Sequence, residues 1–312
     1  MGKILIGGSI AYDNIMEFPG LFKDHILPEK IHSLNVSFLV ETLKKVRGGT
    51  APNIAYNLSL VGEKASIFGT AGKDFSEYRH WLIENGVETK HIRILEDDFT
   101  ANCFITTDMA NNQITGFYPG AMARDAEISL KDIDLKDVSM VVIAPTEPDA
   151  MIKWTKECQE LEVPYLYDPG MQIPRLTGHD LIKGIMGAKI AIFNEYEYIM
   201  MVEKTALSRE EILNNVDLLV ETLGARGSNL WTRKERIHVP AAKPTHVVDP
   251  TGAGDAYRAG LLKGYFEGAK LDVIGRCASV SAVYALEHKG GTGHKYTTEE
   301  FNTRYKENYG GM

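Results

Sequence analysis

The chain is short of cysteine, of clustered positive charge and of long apolar runs. Cys103, Cys158 and Cys277 are the three cysteines in 312 residues. Odd in number and far apart, they make neither a C-x-x-C redox pair nor a zinc spacing. Lys and Arg number 34 against 42 Asp and Glu, a formal net charge of −8. That balance excludes a protein that tracks nucleic-acid phosphates, because such affinity comes from clustered cations. No apolar run approaches the roughly 18 to 20 residues that a membrane span needs, and MGKILIGGSIAYD lacks the charged-then-apolar layout of a secretory leader. The expectation is a cytoplasmic protein with small-molecule ligands and neither nucleic-acid nor membrane partners. Two phosphate-binding signatures are missing as well. There is no GxxxxGK[ST] loop, and neither GGSIAYD nor GAGDAYRAG has the spacing of GxGxxG.

What the chain does have is a rhythm. KILIGGSI, ASIFGTAG, MVVIAP, PYLYDPG, AKIAIFNE and DLLVETLG are short apolar runs stopped by Gly, Pro, Asp or Asn. Helix-length amphipathic stretches separate them, at about 51–61, 75–85, 149–161, 195–203, 208–216, 254–268 and 271–288. A capping box, Thr297-x-x-Glu300, opens a last one. This alternation predicts an α/β fold with a mostly parallel sheet covered on both faces. Segments 14–46 and 99–120 fit the rhythm badly, and the second reads as two strands around Asn-Asn-Gln, so a separate small sheet is expected there. No low-complexity linker divides the chain, and a single domain over 1–312 is expected.

Ligands of open α/β sheets sit beyond the carboxyl ends of the strands, where Asp13, Asp168, Asn194 and Gly224 follow strand-like runs. The most informative stretch is DPTGAGDAYRAG at 249–260. Gly252, Ala253 and Gly254 precede a helix, so their backbone N–H groups form an anion site aided by the helix dipole. A carboxylate, Asp255, stands at that same point. It fits if the anion is a phosphoryl group in transit: the amides would stabilise its oxygens, and Asp255 would take the proton of the attacking hydroxyl. The competing reading is an ordinary helix start.

DPTGAGDAYRAG resembles the C-terminal signature of the PfkB/ribokinase family of carbohydrate and nucleoside kinases. Arg47-Gly48-Gly49-Thr50-Ala51-Pro52-Asn53 is similar to its G-G-x-x-x-N signature, Asn194-x-x-Glu197 to its N-x-x-E motif, and Thr222-Leu223-Gly224-x-x-Gly227 to its nucleotide loop. The four follow the family order and span nearly the whole chain. Phe18 to Lys30, SFLVETL, RGGTAPNIAY, KDFSEYRHWL and NNQITGFYPGAM further resemble bacterial adenosine kinases of this type.

The resemblance implies a ribokinase-like three-layer α/β/α fold whose segments 14–46 and 99–120 form a β-sheet lid. It implies ATP-dependent phosphorylation of the adenosine 5′-hydroxyl, with ATP and Mg2+ and room for K+. Asp255 would be the base, with Gly252, Ala253 and Gly254 as the anion hole. Asp13, ending the first strand, would grip ribose hydroxyls with Gly48, Gly49 and Asn53. Phe117, Gln172 and Arg175 would reach the nucleoside. Asn194, Thr222, Gly224 and Gly227 would line the ATP side, and Glu197 would hold magnesium through water. Asn194 and Glu197 would do so from one face of a helix, a turn apart. Position 103, aromatic in many bacterial adenosine kinases, is cysteine, with Phe104 beside it. Relatives pair their lids, so a homodimer through the lid is expected. The alternatives are a kinase for another nucleoside or for a sugar such as ribose, and a catalytically silent nucleoside-binding regulator.

Overall fold

The computed structural model describes residues 2–311. In chain order its strands are β1 (Lys3–Gly7), β2 (Ala11–Glu17), β3 (Thr42–Gly48), β4 (Ala65–Gly72), β5 (Glu88–Leu95), β6 (Ala101–Thr107), β7 (Gln113–Tyr118), β8 (Val138–Ile143), β9 (Tyr165–Tyr167), β10 (Ile190–Asn194), β11 (Leu218–Thr222), β12 (Ser228–Trp231) and β13 (Arg236–Val239). The α-helices are α1 (Thr50–Leu60), α2 (Ser76–Glu84), α3 (Pro148–Glu160), α4 (Gly178–Ile185), α5 (Glu195–Thr205), α6 (Arg209–Leu213), α7 (Ala253–Phe266), α8 (Leu271–Leu286) and α9 (Thr298–Tyr309).

Nine strands form one sheet in the order β13-β12-β11-β10-β9-β8-β1-β4-β5. Its pairs are parallel from β11 to β5, and the β11–β12 and β12–β13 pairs are antiparallel, so β12 alone runs against the rest. Side-chain alternation divides the core. Ile4, Ile6 and Val142 pack with residues of α1, α2, α7 and α8 on one face. Leu5, Val141 and Ile143 pack with α3, α4, α5 and α6 on the other. A strand with apolar partners on both sides must be apolar at every position, which is why KILIG and VVI read as continuous runs. Among the described residues no helix is long and apolar enough to cross a membrane.

The other four strands make a small mixed sheet, β3-β2-β6-β7, in the place of the expected lid. It begins at Ala11 and resumes at Thr42, so its boundaries differ from the expected 14–46. Residues 18–41 contribute no strand to it. They are held instead by an aromatic cluster of Phe18, Phe22, His25 and Phe38. Asp13 therefore does not end the first strand. β1 stops at Gly7, and Asp13 lies inside β2, because the Gly8-Ser9 break releases the chain from the large sheet into the small one.

Candidate active site

The carboxyl ends of β1, β8, β9, β10 and β11 open on one edge of the large sheet, and α7 starts above it. Its N-cap is Gly252, at φ +78°, a left-handed conformation that disfavours any side chain. There is no room either, since a Cβ at Gly252 would lie 2.3 Å from the Cα of Gly291. Sequence and packing thus force a bare backbone turn. The first-turn amides of Ala253 and Gly254 have no earlier helical carbonyl to bond, apart from the turn bond of Ala253 N–H to Pro250 O.

Asp255 is the third residue of α7. One of its oxygens, Oδ2, accepts a hydrogen bond from Asn53 Nδ2 at 2.9 Å. The residue is half-buried, and desolvation of the carboxyl pushes its pKa up to about 6, against the pull of the Arg258 cation and the Asn53 bond and with help from the Asp168 charge. Asn53 stands in the first turn of α1, just after Gly48 and Gly49. It is buried, and its Oδ1 has no protein partner.

Gly48, at the end of β3, faces Asp13 across the small sheet. A Cβ there would lie 2.5 Å from Asp13 Oδ2, so only glycine leaves the carboxylate its place. Burial, and after it the Asp249 charge, raises the pKa of Asp13. Asp13, Gly48, Gly49 and Asn53 thus form one continuous polar wall that ends on Asp255.

Register decides which aromatic can join that wall. Asp13 is paired with Cys103, and Cys103 with Phe117, so the three side chains project from one face. Phe104 pairs with Asn14 and projects from the opposite face. Phe117 is therefore on the Asp13 side and half exposed, while Phe104 cannot stand in for an aromatic at 103. Gln172 and Arg175 lie on the short helical turn Gly170–Arg175 after β9. Gln172 is buried. The exposed Arg175 donates to Gln172 Oε1 at 3.3 Å and pairs with Glu147 at 3.7 Å.

On the opposite flank Asn194 ends β10, and Thr222 is its neighbour in register at the end of β11. Gly224 and Gly227 bracket the turn into β12. Asn194 is not one helical turn from Glu197 on a shared face, as the motif suggested. It is the N-cap of α5: its Oδ1 accepts from Glu197 N–H at 2.8 Å, and Glu197 Oε2 accepts from Asn194 N–H at 2.7 Å. The motif is thus a capping box, which leaves the other oxygen of Glu197 without a partner in that box. Burial and the charge of Asp168 raise the Glu197 pKa. Among the described residues no group of three or more His, Cys, Asp or Glu could hold a metal ion directly.

Sequence reasoning missed one participant. Arg258, one turn beyond Asp255 in α7, forms a two-pronged ion pair with Asp168 at the end of β9. Its signal was the i, i+3 spacing from Asp255, which puts both on one side of the helix.

Residues 19–298 match the model of the pfkB family carbohydrate kinases. The chain belongs to this family. It is 30% identical over 292 residues to the nucleoside kinase of Methanocaldococcus jannaschii, which covers 93% of this chain and 92% of that protein. The structure of Burkholderia thailandensis nucleoside kinase in complex with inosine superposes with a TM-score of 0.86 at 36% identity, over 99% of this chain and 98% of that one. The same enzyme in complex with ADP-inosine superposes at 0.85 with 38% identity, over 98% and 96% of the two chains. A pfkB-family kinase fold thus carries the constellation described above.

Proposed function

We propose that this pfkB-family kinase transfers the γ-phosphoryl group of ATP to the 5′-hydroxyl of a nucleoside, adenosine first among them. The observation that carries the proposal is the 2.9 Å bond from Asn53 to Asp255. It joins the sugar-signature wall to a carboxylate at the mouth of an anion-binding helix start. In this reading Asp13, Gly48, Gly49 and Asn53 hold the ribose, with Phe117 and Gln172 toward the base and Arg175 at the rim. The 5′-hydroxyl then meets Asp255, which takes its proton as the oxygen bonds to the γ-phosphorus and the bond to the β–γ bridging oxygen breaks. Amides of Gly252, Ala253 and Gly254 stabilise the transferring oxygens, and ADP leaves past Asn194, Thr222, Gly224 and Gly227. Glu197 would hold magnesium through water, and the ion when bound would supply neutralisation of phosphate charge. The protein works in the cytosol, and K+ is the further ion to titrate.

The lid excludes water that would otherwise accept the phosphoryl group. Its face turned away from Asp13 carries the exposed Leu43, Phe104, Ile114 and Tyr118, and β7 is exposed along its whole length. This supports a homodimer that covers that face.

The test is ATP consumption with adenosine, guanosine, inosine, cytidine, ribose and fructose. Adenosine is expected to give the highest kcat/KM. The inosine-bound Burkholderia relative favours a second reading, and an inosine value tenfold above adenosine would replace the first. A tenfold preference for ribose or fructose would overturn nucleoside phosphorylation. Calorimetric nucleoside binding without turnover on any acceptor would mark a silent regulator.

A further inference from the structure

Arg258 is placed unlike an ordinary helix-surface arginine. Two of its nitrogens, Nε and Nη2, hold both oxygens of Asp168, the latter at 2.7 Å from Oδ1. The side chains are 12% and 1% exposed. The third nitrogen, Nη1, lies over the anion-hole turn, 2.8 Å from where a Cβ of Gly254 would be. Besides its partner Asp168, the charges of Asp255 and Glu197 also act on this one guanidinium. A buried ion pair is a poor way to gain stability, because desolvation of both ions offsets their attraction and apolar replacements often serve as well. What the pair does have is location. Asp168 opens the Pro169-Gly170 turn that carries Gln172 on the acceptor side, and Arg258 rides on the helix that carries Asp255.

We infer that the Asp168–Arg258 pair is a positioning device for phosphoryl transfer, keeping a cation beside Asp255 and locking the helix of the base to the acceptor-side turn. This rests on the reading of Asp255 as the base. The groups that face Asp255 are Arg258 on its own helix, Asn53 from α1, Asp168 from the end of β9 and the Tyr78 phenol from α2. Glu197 from α5 faces the guanidinium. Of these Arg258 is the cation, and after burial it is the largest influence on the Asp255 carboxyl. It therefore decides how far below neutrality the base stays ionised.

The experiment is the pH profile of kcat, with the best acceptor, for Arg258→Met, Arg258→Lys, Asp168→Asn and the double variant Asp168→Leu with Arg258→Met. An opposite charge at this range moves a carboxyl by about one to three pH units. Arg258→Met is therefore expected to move the acid limb upward by about one to two units, to lower kcat about twofold to tenfold at pH 7, and to recover much of it at pH 9. Arg258→Lys keeps the charge and should leave the limb near its wild-type position while lowering kcat throughout. Asp168→Asn frees the guanidinium for Asp255 and should move the limb down. The double variant removes both buried ions, so it folds even if the single one does not, and it should show the raised limb. An unmoved limb in a folded Arg258→Met or double variant overturns the inference. If Asp255→Asn is inactive while the limb in these variants stays put, only the positioning role falls. If Asp255→Asn turns over normally, the base assignment falls first.

Discussion

As the proposed base, Asp255 has to be ionised to accept a proton, yet it sits where desolvation opposes its charge. With its pKa pushed up to about 6, it is mostly ionised at pH 7 and mostly protonated at pH 5. Activity should therefore rise with pH through an acid limb near pH 6, and an enzyme equally active at pH 5 and pH 7.5 would contradict the assignment. Stability runs the other way. The folded state holds this proton more tightly than the unfolded chain, whose carboxyl keeps a value near 3.8, so the Asp255 contribution to stability falls as pH climbs from about 4 to about 6. Asp255→Asn removes that cost. Its melting temperature should exceed that of the wild type above pH 6 and match it below pH 4. Its kcat should fall by about 10² to 10⁴, while calorimetry finds nucleoside and ATP affinities close to wild type. For Glu197→Gln, the capping bond survives through the amide oxygen while the charge goes, so the magnesium requirement should rise with nucleoside affinity intact. An unchanged magnesium titration would remove Glu197 from the metal site.

At the scale of elements, the turn into α7 is the tightest constraint. Gly252→Ala combines a left-handed backbone, costing about 1 kcal/mol for an L-residue, with a Cβ 2.3 Å from Gly291. We expect a loss of more than about 1 kcal/mol in urea denaturation, along with most of kcat. A variant of wild-type stability and turnover would mean that the turn is laxer than its geometry. The six buried strands could be read from the sequence because two apolar faces leave no polar position to confuse the pattern. β5 could not, because ETKHIRIL is a sheet edge with a charge at every second or third place. β12 and β13 are four-residue strands, too short for periodicity to register. α4 was missed although Thr177 and Asp180 form its capping box, since its eight residues include two glycines. The candidate site was legible where the backbone conformation or close packing itself requires glycine, as at Gly48 and Gly252. It was illegible where a side chain works across the fold, as Arg258 does on Asp168, because no spacing encodes which strand end a helix will meet. Asp13 reads from the sequence as the end of the first strand, whereas it lies inside β2, because no local pattern marks the Gly8-Ser9 break as a change of sheet.

For the whole molecule, the assembly prediction concerns the lid. Light scattering at micromolar concentration should give twice the 34.7 kDa chain mass, and Phe104→Asp, on the face away from Asp13, should reduce it to one. Wild-type monomers with full activity would count against lid pairing. The Asn53–Asp255 bond has another consequence. Its partners are 202 residues apart in the chain, and it can form only after β1, β4 and β8 have assembled in an order that differs from their order in sequence. Contacts of such long range are slow to close. When denatured protein is diluted into buffer, helical circular dichroism should return first. Catalysis should return only with the slowest phase, and a collapsed intermediate with full secondary structure would be inert.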